Sequence, residues 1–300
     1  MPPPLAATPT PAPLDIHVGL IPATASSPII VPTQEGQFAA KGLNVSLEPV
    51  TDTAQAMVSV TQNQYQIGNV TMGSAALNAF NRGTDLKIIA AGGADPAGHG
   101  ANLPLIVRSQ LIDSGAVMTV ADLKGRKVAI NGKGVVIEYA LMKALKTGGL
   151  TANDVDVQIL PFPDMVVAMS TGAIDAALLL QPTGAQAVFK GLGKILLDDY
   201  NQNAQNAFLV VNSRFLDQHR DAITSFLEVY MQSIRRLSDG RLRSDDAARA
   251  DLQQVTNSPP DVIKLGPDPF WPQDGHVPLD INKLIDYGPL NDALKAIGSS

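Results

Sequence analysis

The chain has 300 residues, 45% hydrophobic and 17% charged, a globular composition whose length exceeds what one hydrophobic core comfortably holds. Its net charge is −6 with no basic cluster, so we expect no nucleic acid partner. The absence of cysteine excludes thiolate catalysis, zinc–thiolate sites and disulfides, and no apolar stretch approaches the roughly 18 residues that span a bilayer.

The first 13 residues are rich in proline, which fixes φ and lacks a backbone donor. This composition predicts a semi-rigid extended linker over residues 1–13. We expect the linker to follow a removed signal sequence and a lipid-bearing cysteine, so that the protein is anchored to a membrane surface. A disordered natural N-terminus is the alternative interpretation.

Strands and helices alternate after the linker. We predict strands over residues 16–21, 43–50, 65–70 and 86–91, and helices over residues 28–41, 53–62 and 74–82. Gly42 and Gly83 end two of these helices, as glycine commonly does. Strands that alternate with helices indicate βαβ units and a mostly parallel sheet.

The arrangement then repeats. We predict strands over residues 128–130, 157–160 and 174–180, and helices over residues 135–147 and 164–170. The helix and strand at residues 55–70 resemble those at residues 166–180 in pattern. Apolar segments at residues 103–107 and 207–211 would cross between two lobes. Helices at residues 223–237, 247–255 and 281–297 would pack on the first lobe.

Four short segments in order and spacing carry a family resemblance. They are TVADLKGRKVA at residues 119–129, the glycine break at residues 148–150, MSTGAIDA at residues 169–176, and Gln181-Pro182. On these segments the chain resembles the type II periplasmic binding proteins of the sulfonate, nitrate and thiamine-pyrimidine or riboflavin group.

The resemblance implies an α/β fold of two lobes, each a mixed, mostly parallel sheet flanked by helices, joined by two hinge strands and closing on a ligand. We expect lobe 1 to comprise residues 14–103 and 208–300, and lobe 2 to comprise residues 104–207. The implied function is that of an extracytoplasmic solute-binding component of an ABC importer. Its expected partners are a small-molecule ligand and the membrane permease, and we expect a monomer without cofactor or metal.

Ligands of open α/β sheets bind beyond the carboxyl ends of strands, where helix N-termini point. Four loops meet that description, at residues 23–27, 71–74, 131–134 and 181–184. The candidate ligand-binding residues in and near these loops are Thr24, Ser26, Ser27, Asn69, Thr71, Met72, Ser74, His99, Asn131, Lys133, Gly134, Tyr139, Gln181, Thr183 and Trp271.

Several of these residues also have an ordinary structural interpretation. The serines would serve equally as helix N-caps, and Lys133 as a solvated loop residue. Tyr139 would stack on a flat ligand or join the core, and Trp271 would cover the cleft or plug the surface of a lobe. His99 would touch the edge of the cleft or lie exposed.

The ligand class is inferred from departures from the family pattern. The family usually carries small hydroxyl residues where Lys133 and Val135 stand, and often an acid where the neutral Gln181 stands. An amide offers one donor and one acceptor to a heterocyclic edge. These departures favour a planar heterocycle such as riboflavin or a thiamine-type pyrimidine. A sulfonate, nitrate or other small anion is the alternative.

Two other function classes are considered. An enzyme of the same fold, such as a pyrimidine synthase or a decarboxylase, is a further alternative, but the synthases of the group depend on a cysteine-rich motif and this chain has no cysteine. A sensor domain would need an output partner. We therefore expect a binding protein and not an enzyme.

Overall fold

The computed structural model describes residues 12–71, 73–95, 100–200 and 204–272. The strands are β1 Leu14–Leu20, β2 Leu43–Pro49, β3 Ile67–Thr71, β4 Leu86–Ala91, β5 Ala94–Asp95, β6 Leu105–Arg108, β7 Lys127–Ile130, β8 Asp156–Ile159, β9 Ala176–Leu178, β10 Gly193–Leu197, β11 Ala204–Gln205 and β12 Ala207–Asn212. The helices are α1 Ser27–Gln34, α2 Thr53–Thr61, α3 Ser74–Asn81, α4 Ser109–Asp113, α5 Val136–Thr147, α6 Phe162–Thr171, α7 Thr183–Phe189, α8 Ser213–Gln218, α9 Arg220–Leu237, α10 Arg241–Ser244, α11 Asp246–Thr256 and α12 Pro260–Leu265.

Two five-stranded sheets organise the chain. The first has the order β2-β1-β3-β12-β4, and β12 runs antiparallel to both of its neighbours. The second has the order β10-β6-β9-β7-β8, and β6 runs antiparallel to both of its neighbours. The first lobe is the first sheet with its helices, and the second lobe is the second sheet with its helices. The short strands β5 and β11 pair with each other between the two sheets.

The two sheets have the same internal plan. Each sheet has one strand that runs antiparallel to the rest, β12 in the first sheet and β6 in the second. This strand lies next to an edge strand, and it is the first strand of its sheet after the chain arrives from the other sheet. The pair α2 and β3 in the first lobe therefore corresponds to α6 and β9 in the second. This is the pair of segments whose sequence patterns resemble each other.

Each sheet is stabilised by its own apolar core. Apolar side chains of β6, β7, β9 and α5 form one buried cluster in the second lobe. The first sheet has a cluster on each face, and the larger one includes α9 and α11. Phe226, Tyr230 and Ile234 of α9 are buried, which confirms the apolar face predicted for this helix, and Phe226 stacks on Phe38 at 4.7 Å.

The predicted helix over residues 28–41 is wrong in its extent. Helix α1 ends at Gln34, and a separate 3-10 turn covers Ala39–Lys41. The break follows Pro32, which lacks a backbone donor, and coincides with Gly36, whose φ of 72° is left-handed. The predicted strand over residues 174–180 is shorter, since β9 covers only Ala176–Leu178.

Some predictions fall outside the described residues. These are most of the linker, the helix at residues 281–297, and the candidate ligand contacts Met72 and His99. Among the helices in the described ranges, none is both long enough and apolar enough to cross a lipid bilayer.

Candidate ligand-binding site

The two lobes meet around a small inner cavity of ≈ 40 Å³. Both lobes line it, because the carboxyl ends of their parallel strands face each other across it. The lining residues are Ile21, Thr53 and Thr71 from the first lobe, Leu103 between the sheets, and Asn131, Val135, Val136, Ile137, Phe162 and Leu180 from the second lobe.

An outer chamber of ≈ 280 Å³ adjoins the inner cavity, and Ile21, Phe162 and Leu180 line both. The other residues that line it are Pro22, Pro49, Val50, Thr51, Pro161, Pro163, Thr183, Val255, Thr256 and Asn257. None of the described residues that line the two spaces carries a charged side chain. The cleft is therefore apolar, with a few hydroxyl and amide groups, as is usual for small-molecule sites.

Hydroxyl groups supply the polar part of the first lobe's wall. Thr53 begins α2 and is 3% exposed, and its Oγ1 lies 2.7 Å from Oγ1 of Thr71 at the end of β3. The backbone N–H of Thr71 also donates to Thr53 Oγ1, at 3.2 Å. This pair holds the end of β3 against the start of α2.

The loop at residues 23–27 is held by hydrogen bonds within the first lobe. Ser26 donates to the carbonyl of Ile21 at 3.0 Å and accepts from Asn69 Nδ2 at 3.1 Å. Ser27 is fully buried and donates to the carbonyl of Thr24. Among the described residues, Asn69 Oδ1 is buried and has no hydrogen-bond partner, so Asn69 has an acceptor to offer beside this loop.

Several contacts between described residues join the lobes directly. The backbone N–H of Thr24 donates to the carbonyl of Gln181 at 3.1 Å. Asn131 Nδ2 donates to the carbonyl of Thr51 at 3.2 Å. Gly73 packs so closely that a Cβ on it would lie 2.9 Å from the carbonyl oxygen of Gly134. The lobes are thus in contact across the cleft, in a closed arrangement.

The second lobe presents the N-terminus of α5 to the cavity. Glu138 in the first turn is 5% exposed, and its Oε2 accepts a 2.7 Å hydrogen bond from the backbone N–H of Gly134. Gly134 has a left-handed φ of 70°, which glycine adopts readily. Lys133 is exposed, and Tyr139 is half-buried with the Lys143 ammonium 5.7 Å from its ring centroid.

Gln181 is 2% exposed, and its side chain is engaged within the second lobe. Its Oε1 accepts from the backbone N–H of Ala185 in the first turn of α7, at 2.9 Å. Its backbone N–H donates to the carbonyl of Asn102 at 3.0 Å. Gln181 therefore ties α7 to the connection between the sheets, while Thr183 next to it lines the outer chamber.

A buried polar group lies between the lobes. Asp95 is 3% exposed and accepts hydrogen bonds from Asn102, from the backbone N–H at 3.2 Å and from Nδ2 at 2.9 Å. Burial raises the pKa of Tyr200, whose hydroxyl donates to the carbonyl of Leu103, and the charge of Asp95 raises it further. Burial lowers the pKa of Lys143, and Asp95 opposes that effect.

The structure places the predicted residues in four different environments. Thr71, Asn131 and Thr183 line the cleft. A second group supports it through hydrogen bonds: Thr24, Ser26, Ser27, Asn69, Gly134 and Gln181. Lys133 and Tyr139 lie beside the α5 N-terminus, and Ser74 begins α3.

Direct ligand contact by Trp271 does not agree with its position. Its side chain is completely buried in the larger core cluster of the first lobe, and Nε1 donates to the carbonyl of Ala25 at 2.8 Å. Trp271 therefore plugs the first lobe and supports the loop at residues 23–27 from behind. Ser27, with no exposed surface, likewise acts through the loop backbone.

Sequence reasoning missed most of the cavity wall. Ile21 comes directly after β1 and Leu180 two residues after β9, so their positions near strand ends were a usable signal. Glu138 stands three residues after Val135, the residue that precedes α5, and a glutamate at this position commonly reaches back to a free N–H. Thr53 and Phe162 had no comparable signal.

Within the described ranges, no group of three histidine or acidic residues forms a metal site.

The sequence model of the NMT1-like family matches residues 9–255. The chain belongs to the NMT1-like family. An Escherichia coli (strain K12) protein with the name of an aliphatic sulfonates-binding protein is 26% identical over 171 residues, which is 56% of this chain and 51% of that protein. The match therefore spans about half the length of that relative.

Solved structures with a similar fold cover nearly the whole chain. The alkanesulfonate-binding protein SsuA from Xanthomonas axonopodis pv. citri, bound to MOPS, has a TM-score of 0.75 at 20% identity and covers 97% of this chain and 95% of its own. The periplasmic nitrate-binding protein NrtA from Synechocystis PCC 6803 has a TM-score of 0.66 at 15% identity, with coverage of 96% and 90%. The predicted periplasmic-binding-protein fold is confirmed.

Proposed function

We propose that this NMT1-like chain is the extracytoplasmic solute-binding component of an ABC importer and captures a small molecule between its lobes. One observation carries the proposal: a cleft lined from both lobes, with lobe-to-lobe hydrogen bonds at Thr24–Gln181 and Asn131–Thr51. The residues that make these bonds would separate when the lobes open. Hinge closure on a solute is the motion that this arrangement supports.

The partner in this proposal is a membrane permease, which receives the solute from the closed protein. The names of the similar proteins, binders of sulfonates and of nitrate, support a transport role. A lipid anchor upstream of the proline-rich segment would keep the protein at the membrane surface. The lobe boundaries near residues 103 and 207 are part of the same proposal, since the chain passes between the sheets there.

For the ligand, we propose an uncharged compound with a flat apolar body, such as a flavin or an aminopyrimidine. The apolar wall of Val136, Phe162 and Leu180 supports this class, because such side chains offer stacking surface and no charge. A small anion is the second candidate, and the names of the sulfonate-binding and nitrate-binding relatives favour it.

The test begins with the purified full chain, unfolded and refolded to remove any captured compound. A metabolite extract, riboflavin, aminopyrimidines, alkanesulfonates and nitrate are then screened by thermal unfolding. A ligand at one hundred times its Kd adds about 2.7 kcal/mol to the free energy of unfolding. Small-angle scattering should show a smaller radius of gyration with any ligand found. Failure of every solute to stabilise or contract the protein would overturn the solute-binding function.

A further inference from the structure

The N-terminus of α5 is the part of the cleft where an anion would ordinarily bind. Backbone N–H groups at the start of a helix lack partners within the helix, and the helix dipole adds partial positive charge there. Val135, Val136 and Ile137 bring this start of α5 to the wall of the inner cavity. A sulfonate or nitrate held by the second lobe would seek these groups.

The protein already places a carboxylate at this position. Glu138 is buried, and its Oε2 accepts a 2.7 Å hydrogen bond from the backbone N–H of Gly134. The loop at residues 131–134 therefore donates to an acceptor within the protein. Asp52 does the same in the first lobe, where its Oδ1 accepts from the backbone N–H of Gln55 at 3.0 Å. Asp52 stands between Thr51 and Thr53, which line the outer chamber and the inner cavity respectively.

Among the described residues, no basic side chain forms an ion pair with Glu138, whose carboxylate accepts from the Gly134 N–H. Lys133 is exposed on the loop, and Lys143 lies over the ring of Tyr139. Like charges a few ångströms apart repel strongly where the wall is apolar, because little solvent screens them. Glu138 does not itself line the cavity, but it stands in the same first turn as Val136 and Ile137, which do, so an anion at the start of α5 would be repelled by a negative charge within that turn.

We propose that Glu138 is a specificity-determining residue that makes the cleft select uncharged ligands over oxyanions. This assignment rests on the proposed solute-binding function and deepens it. Glu138 acts in two ways: it accepts the N–H of Gly134 in the loop before α5, so that this donor is not left for a ligand, and its negative charge in the first turn opposes the partial positive charge of the helix N-terminus and raises the free energy of an anion bound there. An uncharged ligand meets neither penalty and keeps its contact with the apolar wall.

A pair of probes of equal size separates charge from shape. Butanesulfonate and butanesulfonamide differ chiefly in that the sulfonamide is neutral and carries N–H donors. Their affinities are measured by calorimetry for the wild-type chain and for Glu138→Gln, which keeps an oxygen for the Gly134 N–H. Glu228→Gln is the matched control, because Glu228 lies on the outside of α9 and pairs with Lys41 at 2.9 Å.

The wild-type chain should bind the sulfonamide at least tenfold more tightly than the sulfonate. In Glu138→Gln the ratio should shift at least tenfold toward the sulfonate, with an unchanged ratio in Glu228→Gln. Thermal unfolding of Glu138→Gln establishes that the variant is folded, and Asp52→Asn, which keeps its helix cap, should shift the ratio in the same direction by a smaller factor.

Three outcomes would overturn the assignment. The first is tighter sulfonate than sulfonamide binding by the wild-type chain, and the second is a ratio that Glu138→Gln leaves unchanged. The third is that neither probe binds any variant at millimolar concentration, which rejects this ligand class. In all three, stabilisation by any solute from the extract would still uphold solute binding, so the two proposals fail separately.

Discussion

The two lobes have the same strand plan, but they contribute chemically different side chains to the inner cavity. The first lobe contributes the hydroxyl groups of Thr53 and Thr71 to the inner cavity, whereas the second contributes mainly the aliphatic and aromatic side chains of Val135, Val136, Ile137, Phe162 and Leu180. Equivalent positions in a repeated fold can thus carry different chemistry. A bound ligand would place its polar edge on the first lobe and its apolar body on the second.

The lobes also differ in whether a side chain accepts a hydrogen bond at the start of the helices near the cleft. Among the described residues, no side chain caps the start of α1 or α3 in the first lobe. In the second lobe, the Glu138 side chain accepts a hydrogen bond from the loop N–H before α5. The Gln181 side chain accepts one from an N–H in the first turn of α7. The contrast is limited to α1 and α3 against α5 and α7, since Asp52 caps α2 of the first lobe.

The largest expected effect concerns support of the first lobe's loop. Trp271→Ala should lower the free energy of unfolding by about 3–5 kcal/mol, because a completely buried indole leaves a cavity in the core. Its hydrogen bond to the carbonyl of Ala25 is lost as well. Urea unfolding followed by circular dichroism measures the change, since the chain has one tryptophan and the variant has none.

Trp271→Phe is the matched variant for that measurement. It keeps most of the apolar volume and should cost less than the alanine, with the lost hydrogen bond as its main effect. A loss below about 1 kcal/mol in Trp271→Ala would contradict the role of Trp271 as a core plug.

The next effect tests the closed contact between the lobes. Gly73 has an extended backbone with φ of −158°, so alanine fits there without backbone strain. In the closed arrangement, however, its Cβ would lie 2.9 Å from Cα of Val135. Gly73→Ala should therefore weaken binding of any cleft ligand by about a hundredfold, equivalent to about 2.7 kcal/mol, and leave thermal stability without ligand unchanged.

Gly132→Ala is the control for this steric effect. Its Cβ would meet a side-chain methyl of Val135 in its own lobe, so closure is not blocked. Calorimetry gives the affinities, and scattering shows whether the ligand still contracts the protein. Wild-type affinity and full contraction in Gly73→Ala would show that ligand binding does not require this contact.

The elements that the sequence predicts well are those determined by local pattern. Gly42 and Gly172 end helical segments with left-handed φ values of 75° and 77°, as a glycine at a helix end predicts. The apolar periodicity of α9 likewise predicts its buried face. The early end of α1 is also encoded locally, in Pro32 and Gly36, which argue against a helix over the whole of residues 28–41.

The candidate site is less predictable because it depends on contacts between distant segments. Strand ends located the four loops, of which Thr71, Asn131 and Thr183 reach the cleft wall. Thr53 and Phe162 join that wall only because the lobes approach each other, which no local pattern expresses. Trp271 attracted a ligand-binding interpretation as a rare aromatic residue, but its environment is the core of the first lobe.

A smaller effect tests the polar wall of the first lobe. Thr53→Val removes the hydroxyl that contacts Thr71 Oγ1 and accepts its backbone N–H. A buried N–H without a partner costs about 1–3 kcal/mol, so the free energy of unfolding should fall by that amount. Thr224→Val on the exposed side of α9 is the control and should stay within about 0.5 kcal/mol of wild type. Equal effects of the two variants would contradict a structural role for the Thr53–Thr71 pair.

The smallest effect is confined to the second lobe and depends on pH. Asp122 and Asp154 each accept hydrogen bonds in capping boxes, and the backbone N–H groups of Met118 and Thr119, and of Thr151, hold their pKa values below the ordinary carboxyl value. A depressed pKa in the folded state stabilises the fold above the unfolded pKa, and the contribution is lost as pH falls through the folded pKa. The double variant Asp122→Asn, Asp154→Asn should therefore have a slightly lower Tm than wild type at neutral pH. The difference should shrink below about pH 4. A Tm difference that stays constant from neutral to acidic pH would contradict the charge-dependent part of this capping and assign the effect to hydrogen-bond geometry alone.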